Sequence, residues 1–189
     1  MMKMVVVIFG LMGTGKTTLA RELGLALGWP ALHSDAVRKT MAGLHPTTRM
    51  PLKFGEGIYS KEFSQGMYRE MRRQAREFLQ SAPGVILDGS YIKAVERAKV
   101  REMARDAGAA ALFICCRCSR EVARERMARR AADPQAISDG REELMCAQEA
   151  DFDPPGPEDE PLLLWDTHRE VPAVVAGARD FISKRLAAR

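Results

Sequence analysis

The run Gly10-Leu11-Met12-Gly13-Thr14-Gly15-Lys16-Thr17 has the spacing G-x-x-x-x-G-K-[ST], and each position has a chemical reason. Glycines let successive backbone N–H groups curl around phosphate oxygens, and the N-terminus of a following helix adds positive potential. Lys16 is spaced to reach the β and γ phosphates, and Thr17 to offer its hydroxyl to Mg²⁺, with Thr18 close behind in the first helical turn. The stretch Gly10 to Thr18 therefore reads as a site for a nucleoside triphosphate and its Mg²⁺.

Further carboxylates and cations fall where they would serve such a site. Asp88 ends the apolar run Val85-Ile86-Leu87, the pattern of a carboxylate held near Mg²⁺. The next residue is Gly89, where ATPase motors usually carry a water-activating glutamate, and its identity counts against a hydrolytic machine. Asp35 reads equally as a helix N-cap, a role Ser34 would also fill, or as the base that accepts the proton of an attacking hydroxyl. Arg38 lies one helical turn on, so it projects on the same side and suits an anionic or hydroxyl-rich acceptor. Arg126 and Arg130 sit among the arginines between 120 and 130. Spacing alone favours a solvated face there, but Pro134 and a further helix turn the region into a helix–loop–helix insertion, the shape of a lid whose arginines meet the triphosphate on closure. Arg69, Arg72, Arg73 and Arg76 share a helix face opposite Met67, Met71 and Phe78, and read as solvated.

The elements that must carry these residues alternate short apolar runs with longer amphipathic ones, the pattern of βα units on a parallel sheet. Strands are expected at Val5–Phe9, Pro30–His33, Val85–Asp88, Ala111–Cys115 and Leu162–Trp165. Helices are expected at Lys16–Leu27, Asp35–Leu44, Lys61–Ser81, Ile92–Ala107, Ser119–Ala131, Ser138–Glu149 and Val171–Ala187. Ligands of open α/β sheets gather at the carboxyl ends of strands. The phosphate loop, His33-Ser34-Asp35 and Asp88-Gly89-Ser90 all fall there. The Leu44–Tyr59 loop is placed to lie over an acceptor. The stretch Asp151 to Pro161, rich in proline and acidic residues, reads as an exposed connection.

Composition narrows the classes further. A chain of 189 residues with 46% hydrophobic content suits one domain with a small appended lid, at about 117–150. No stretch approaches the about 20 apolar residues of a membrane span, so a soluble cytoplasmic protein is expected, without membrane contact. Cys115, Cys116, Cys118 and Cys146 show neither zinc spacing nor a disulfide framework, and reduced, partly buried thiols are expected. The net charge of +4 suits an anionic ligand without requiring nucleic acid. The chain contains no asparagine, so the N-K-x-D guanine-reading motif of GTPases is absent and ATP is the expected nucleotide.

Taken together, GLMGTGKTTLA, the His33–Lys39 segment HSDAVRK, the Tyr59–Met71 segment, VILDGSYI at Val85–Ile92 and CRCSREVARERMARR at Cys116–Arg130 resemble a known group. This group is the small P-loop kinases that include zeta-toxin-like and polynucleotide kinases, with the nearest resemblance to the AAA-type ATP-binding kinase domain found fused behind aminoglycoside-phosphotransferase-like domains. The resemblance implies an α/β three-layer P-loop sandwich, with a five-stranded parallel sheet in the nucleoside-kinase-like order 2-3-1-4-5. It implies Lys16 and Thr17 on phosphates and Mg²⁺, Asp35 on the acceptor hydroxyl and Arg38 on the acceptor. Asp88 would serve the metal shell, and Arg126 and Arg130 the lid. The activity it implies is transfer of the γ-phosphoryl of ATP-Mg to a hydroxyl of a small molecule. The alternatives are a polynucleotide 5′-hydroxyl kinase and a regulatory ATPase. No aromatic platform for stacking bases is evident, which favours the small acceptor.

Overall fold

A computed structural model describes residues 2–48, 55–133 and 144–187. Its centre is β1, Lys3–Phe9, in which Met4 to Phe9 are all buried. Alternate residues point to opposite faces of a strand. Val5, Val7 and Phe9 accordingly join one apolar core, and Met4, Val6 and Ile8 join another. A strand covered on both faces must be apolar throughout, which is why the run shows no alternation.

The other strands are β2 (Ala31–His33), β3 (Gly84–Asp88), β4 (Ala109–Arg117) and β5 (Leu162–Asp166). All pairings are parallel, and the order is β2-β3-β1-β4-β5, as the resemblance implied. Helices α1 (Lys16–Leu27) and α7 (Val171–Ala187) cover one face through Leu19, Leu23, Val174 and Ile182. Helices α3 (Lys61–Ser81) and α4 (Ala94–Asp106) cover the other through Met67, Met71, Val100 and Met103. The remaining helices are α2 (Ser34–Met41), α5 (Arg120–Ala131) and α6 (Met145–Ala150). Among the described residues no helix is long and apolar enough to cross a membrane.

Several boundaries and environments differ from expectation. Helix α2 stops at Met41 rather than Leu44, because Gly43 takes a left-handed φ of 71° and Leu44 N–H returns to Lys39 O at 2.8 Å, a C-terminal capping loop. Helix α4 begins at Ala94 rather than Ile92, where the carboxylate of distant Asp153 accepts Ala94 N–H at 3.0 Å. Strand β4 runs longer than expected because Ala109 and Ala110 pair with Lys3 and Met4. The Ser138–Glu149 helix and the 44–59 loop fall partly outside the described residues. What is described of them is α6 and a 3₁₀ turn at Gly57–Tyr59.

On α3 the buried stripe is Met67, Met71, Ala75 and Leu79, while Phe78 is exposed. Nor is Arg72 solvated: it reaches across to Glu96 of α4 at 2.8 Å. The 151–161 stretch is not simply exposed either. Asp159 is fully buried, because Arg97 of α4, equally buried, donates its Nε to both carboxylate oxygens at 2.9 and 3.0 Å.

Candidate active site

Strand β1 delivers the chain into the phosphate loop, and α1 starts at Lys16 with no side chain capping its N-terminus. The first-turn N–H groups of a helix have no intrahelical partner, so an uncapped end aimed at a cavity is an anion site. Gly13 holds a φ of 76°, and a Cβ there would stand 2.8 Å from the Ala123 carbonyl. Only glycine lets the loop pack this tightly against α5. Lys16 Nζ donates to Leu11 O at 2.7 Å, folding its ammonium back over the loop. Burial pushes the Lys16 pKa below the usual lysine value, and the charge of Asp88 offsets part of that. An anion in the loop would act in the same direction as Asp88.

The β2 and β3 ends lie side by side. His33 and Asp88 occupy matched register positions, and His33 Nδ1 lies 2.8 Å from Asp88 Oδ2. Asp88 is buried, so this contact satisfies a carboxylate oxygen that burial would otherwise leave bare. Helix α2 follows β2 without a linker, with His33 at its N-cap. Ser34 and Asp35 thus lie inside the first turn rather than at the cap. Asp35 Oδ1 stands 3.9 Å from Arg38 Nε. Arg38 is itself buried: its Nη1 donates to Ser64 Oγ at 2.9 Å and to Ile58 O, and its guanidinium lies 4.8 Å over the Tyr59 ring. It is a fixed cation, not a mobile one.

The phosphate loop divides two cavities. One, of about 540 Å³, is lined by Lys16, Asp35, Arg38, Asp88, Ser90 and Gln148, among others. The other, on the far side of Thr17, is lined by Thr18, Arg21, Arg126, Arg129 and Thr167. Gly15, Thr17 and Arg130 border both. Arg126 and Arg130, one turn apart, therefore do different things. Arg126 Nη1 donates to Thr167 Oγ1 at 3.0 Å and Nη2 donates to Thr167 O. Thr167 Oγ1 in turn donates to the loop carbonyl Thr14 O at 2.7 Å.

Among the predicted positions, Gly13, Gly15, Lys16, Thr17, Asp35, Arg38, Asp88 and Arg130 meet around the first cavity, joined by Met12. Arg126 and Thr18 face the second. Gly10 and Leu11 form the floor of the loop: Gly10 N–H donates to Ser90 O at 3.3 Å, and Leu11 O accepts from Lys16 and from Thr14 Oγ1 at 2.7 Å each. Sequence reasoning missed Thr167 and Gln148. Thr167 follows the last strand, so the sheet order would have placed it beside the loop; for Gln148 no local signal exists.

The oxygen donors here, the Thr17 hydroxyl and the Asp88 carboxylate beside an anion-binding loop, are the hard ligands that Mg²⁺ takes. The residues present fit a Mg²⁺-nucleotide. Cys115 and Cys116 are buried, and burial pushes the Cys116 thiol up to about 12, which keeps it out of the chemistry. All four cysteines are free.

Solved structures share this architecture. A gluconokinase from Sinorhizobium meliloti superposes with a TM-score of 0.69 at 21% identity, covering 97% of this chain and 93% of that one. The Mycobacterium tuberculosis APS kinase, in complex with AMPPNP and APS, gives 0.65 at 17% identity, with 96% and 98% covered. At such identities the likeness establishes the fold. An uncharacterized protein of Mycobacterium tuberculosis is 31% identical over 141 residues, which is 75% of this chain and 28% of that protein. This chain thus spans under a third of the length of the curated relatives it matches. A family model described as AAA domain matches residues 5–155, from the first strand through the phosphate loop and past α6, and the chain belongs to that family.

Proposed function

We propose that this protein is an ATP-dependent phosphotransferase that moves the γ-phosphoryl group to a hydroxyl of a small molecule. The observation that carries this reading is the cavity of about 540 Å³, in which Lys16 and Thr17 share one chamber with Asp35 and Arg38. A nucleotide switch or a motor needs a triphosphate site; it does not need a second chamber beside it furnished with a carboxylate and a buried cation. The names of the structural neighbours, a gluconokinase and an APS kinase, agree with a small acceptor.

In this reading the nucleoside occupies the second cavity and its phosphates pass over the loop. Thr17 and Asp88 would hold Mg²⁺, which would supply charge neutralisation of the phosphates. Asp35 takes the proton of the acceptor hydroxyl as its oxygen forms the new bond to γ-phosphorus. The bond from γ-phosphorus to the β–γ bridging oxygen breaks, and ADP leaves with that electron pair. Arg38 orients the acceptor, Lys16 follows the β and γ phosphates, and Arg130, on a lid formed by about 117–150, stabilises the transferred charge on closure.

The test is a γ-phosphate transfer screen from labelled ATP across nucleosides, sugars, aminoglycosides and 5′-hydroxyl oligonucleotides, run with wild type and Asp35→Asn. The amide is nearly isosteric and takes no proton, so transfer should fall by about 10²–10⁴-fold while ATP binding persists. Transfer to an oligonucleotide that collapses with salt, with a log–log slope of about −0.7 per phosphate contacted, would replace the small acceptor with nucleic acid. ATP turnover that no acceptor accelerates would return the protein to the regulatory ATPases.

A further inference from the structure

We propose that Gln148 is a specificity-determining residue for the acceptor, held in place by the phosphate loop itself; the assignment rests on the phosphotransferase reading above. Gln148 stands on α6, 136 positions from Met12 in sequence, yet its Oε1 accepts the Met12 backbone N–H at 2.7 Å. The side chain is buried and lines the first cavity together with Asp35, Arg38 and Asp88. Because Met12 N–H can only donate, the oxygen of the carboxamide must face the loop, which turns the Nε2 donors the other way. Among the described residues Nε2 has no hydrogen-bond partner, and it is not a sealed atom.

The docking of α6 is independently supported. Met145, one turn before Gln148, packs with Ala123 and Met127 of α5, and Met12 of the phosphate loop joins that cluster. Glu149 pairs with Arg120 of α5. Beyond α6, Asp151 pairs with Lys93 at 2.6 Å and Asp153 caps α4. The helix is thus pinned on both sides of Gln148. A side chain fixed this way presents its donors in a defined direction at little entropic cost on binding.

The chemistry of the cavity calls for a neutral donor at this point. Asp35 and Asp88 line the same chamber, and a phosphoryl group must pass through it, so a carboxylate at position 148 would add like charge. A carboxamide supplies the acceptor that Met12 N–H needs and a donor for an oxygen of the substrate. Gln148 borders the chamber that holds Asp35 and Arg38, and it does not border the second cavity. It therefore reads an acceptor oxygen, not the nucleoside.

Two variants separate the roles. Gln148→Glu keeps an oxygen for Met12 N–H but loses the donor; Gln148→Leu loses both. Hydrogen exchange of the Met12 amide in the full chain should stay slow in Gln148→Glu and become fast in Gln148→Leu. With an acceptor from the transfer screen, KM for that acceptor should rise about tenfold or more in both variants; KM for ATP should stay within about twofold of wild type in Gln148→Glu, whose oxygen still holds the loop, and rise as well in Gln148→Leu, which releases it. A merely structural role would be rescued by glutamate. An acceptor turned over by wild type, with unchanged KM in Gln148→Glu, overturns the Gln148 assignment alone. Unchanged Met12 exchange in Gln148→Leu overturns the anchoring. A wild-type protein that transfers phosphate to no acceptor brings down this inference together with the reading it rests on.

Discussion

His33 Nδ1 and Asp88 Oδ2 meet at 2.8 Å across matched positions of β2 and β3, so one oxygen of the buried Asp88 carboxylate is fixed by a ring from the neighbouring strand. In the proposed reading Asp88 would therefore meet the cation as a pre-oriented ligand, through Oδ1. Partners that orient a ligating carboxylate typically change metal affinity or activity by about 10–100-fold when removed. His33→Ala should raise the Mg²⁺ concentration for half-maximal phosphoryl transfer by that factor. His33→Asn, whose amide N–H reproduces the Nδ1 donor, should restore most of it. Wild-type Mg²⁺ dependence in the alanine variant would reduce the contact to a strand-end packing feature.

Lys16 makes a prediction about stability as well as binding. Burial lowers its folded pKa from 10.5, while the unfolded chain keeps the ordinary value. Between the two values the unfolded state holds a proton that the folded state has released, so stability rises with pH across that window. Below it the enclosed ammonium is a constant cost. Lys16→Met removes that cost, so without nucleotide its melting temperature at pH 7 should equal or exceed wild type. The stabilisation by ATP, about 2.7 kcal/mol at a hundredfold excess over Kd, should vanish. A variant that melts well below wild type yet still gains from ATP would contradict both halves.

The β1 run, the phosphate loop and Asp88 could be read from sequence because each is local: an apolar stretch buried on both faces leads straight into the candidate site residues. The positions of Lys61–Ser81 and Val171–Ala187 were readable for the same reason, since both helices carry their own apolar stripe. Gly43 was readable but overlooked. Its left-handed φ ends α2 three residues early, and a glycine after the last helical turn is the usual sign of that ending. Other features have no local trace. The cap of α4 comes from Asp153, the partner of Asp159 is Arg97, and Gln148 meets Met12, each pair separated by more than fifty residues. Spacing alone also could not divide Arg126 from Arg130. One turn of helix separates them, but only the fold places Thr167 beside the first.

That division yields the next prediction. Arg126 grips Thr167, and Thr167 Oγ1 supports the loop at Thr14 O, so Arg126→Ala should loosen the phosphate loop and weaken ATP binding about tenfold. Arg126→Lys should fail to rescue, because a lysine cannot reach the carbonyl and the hydroxyl together. Arg130 borders both cavities and should act on turnover instead. Arg130→Ala is expected to lower kcat by about 10²–10³ with little change in ATP affinity. Titration calorimetry and steady-state kinetics read the two effects separately, and the reverse pattern would sink the assignment.

The buried pair Arg97 and Asp159 ties the segment after α6 to the cavity lined by Asp35 and Arg38. Arg97 Nε holds both Asp159 oxygens, and its Nη1 donates to Tyr91 O at 2.9 Å. Tyr91, buried and at a φ of 40°, donates its own N–H at 3.0 Å to the hydroxyl of Tyr68, which lines the same cavity as Asp35 and Arg38. Asp159→Ala strands a buried guanidinium and should cost about 3–5 kcal/mol in urea unfolding. The double variant Arg97→Met with Asp159→Leu removes both charges and should recover most of that stability. It cannot recover the hold on the Tyr91 carbonyl, so KM for the acceptor should stay raised while the fold is sound. Equal stability of the single and double variants would mean the pair is not a coupled charge. A double variant with wild-type acceptor KM would mean that Arg97 holds the core together without positioning the loop beside the substrate.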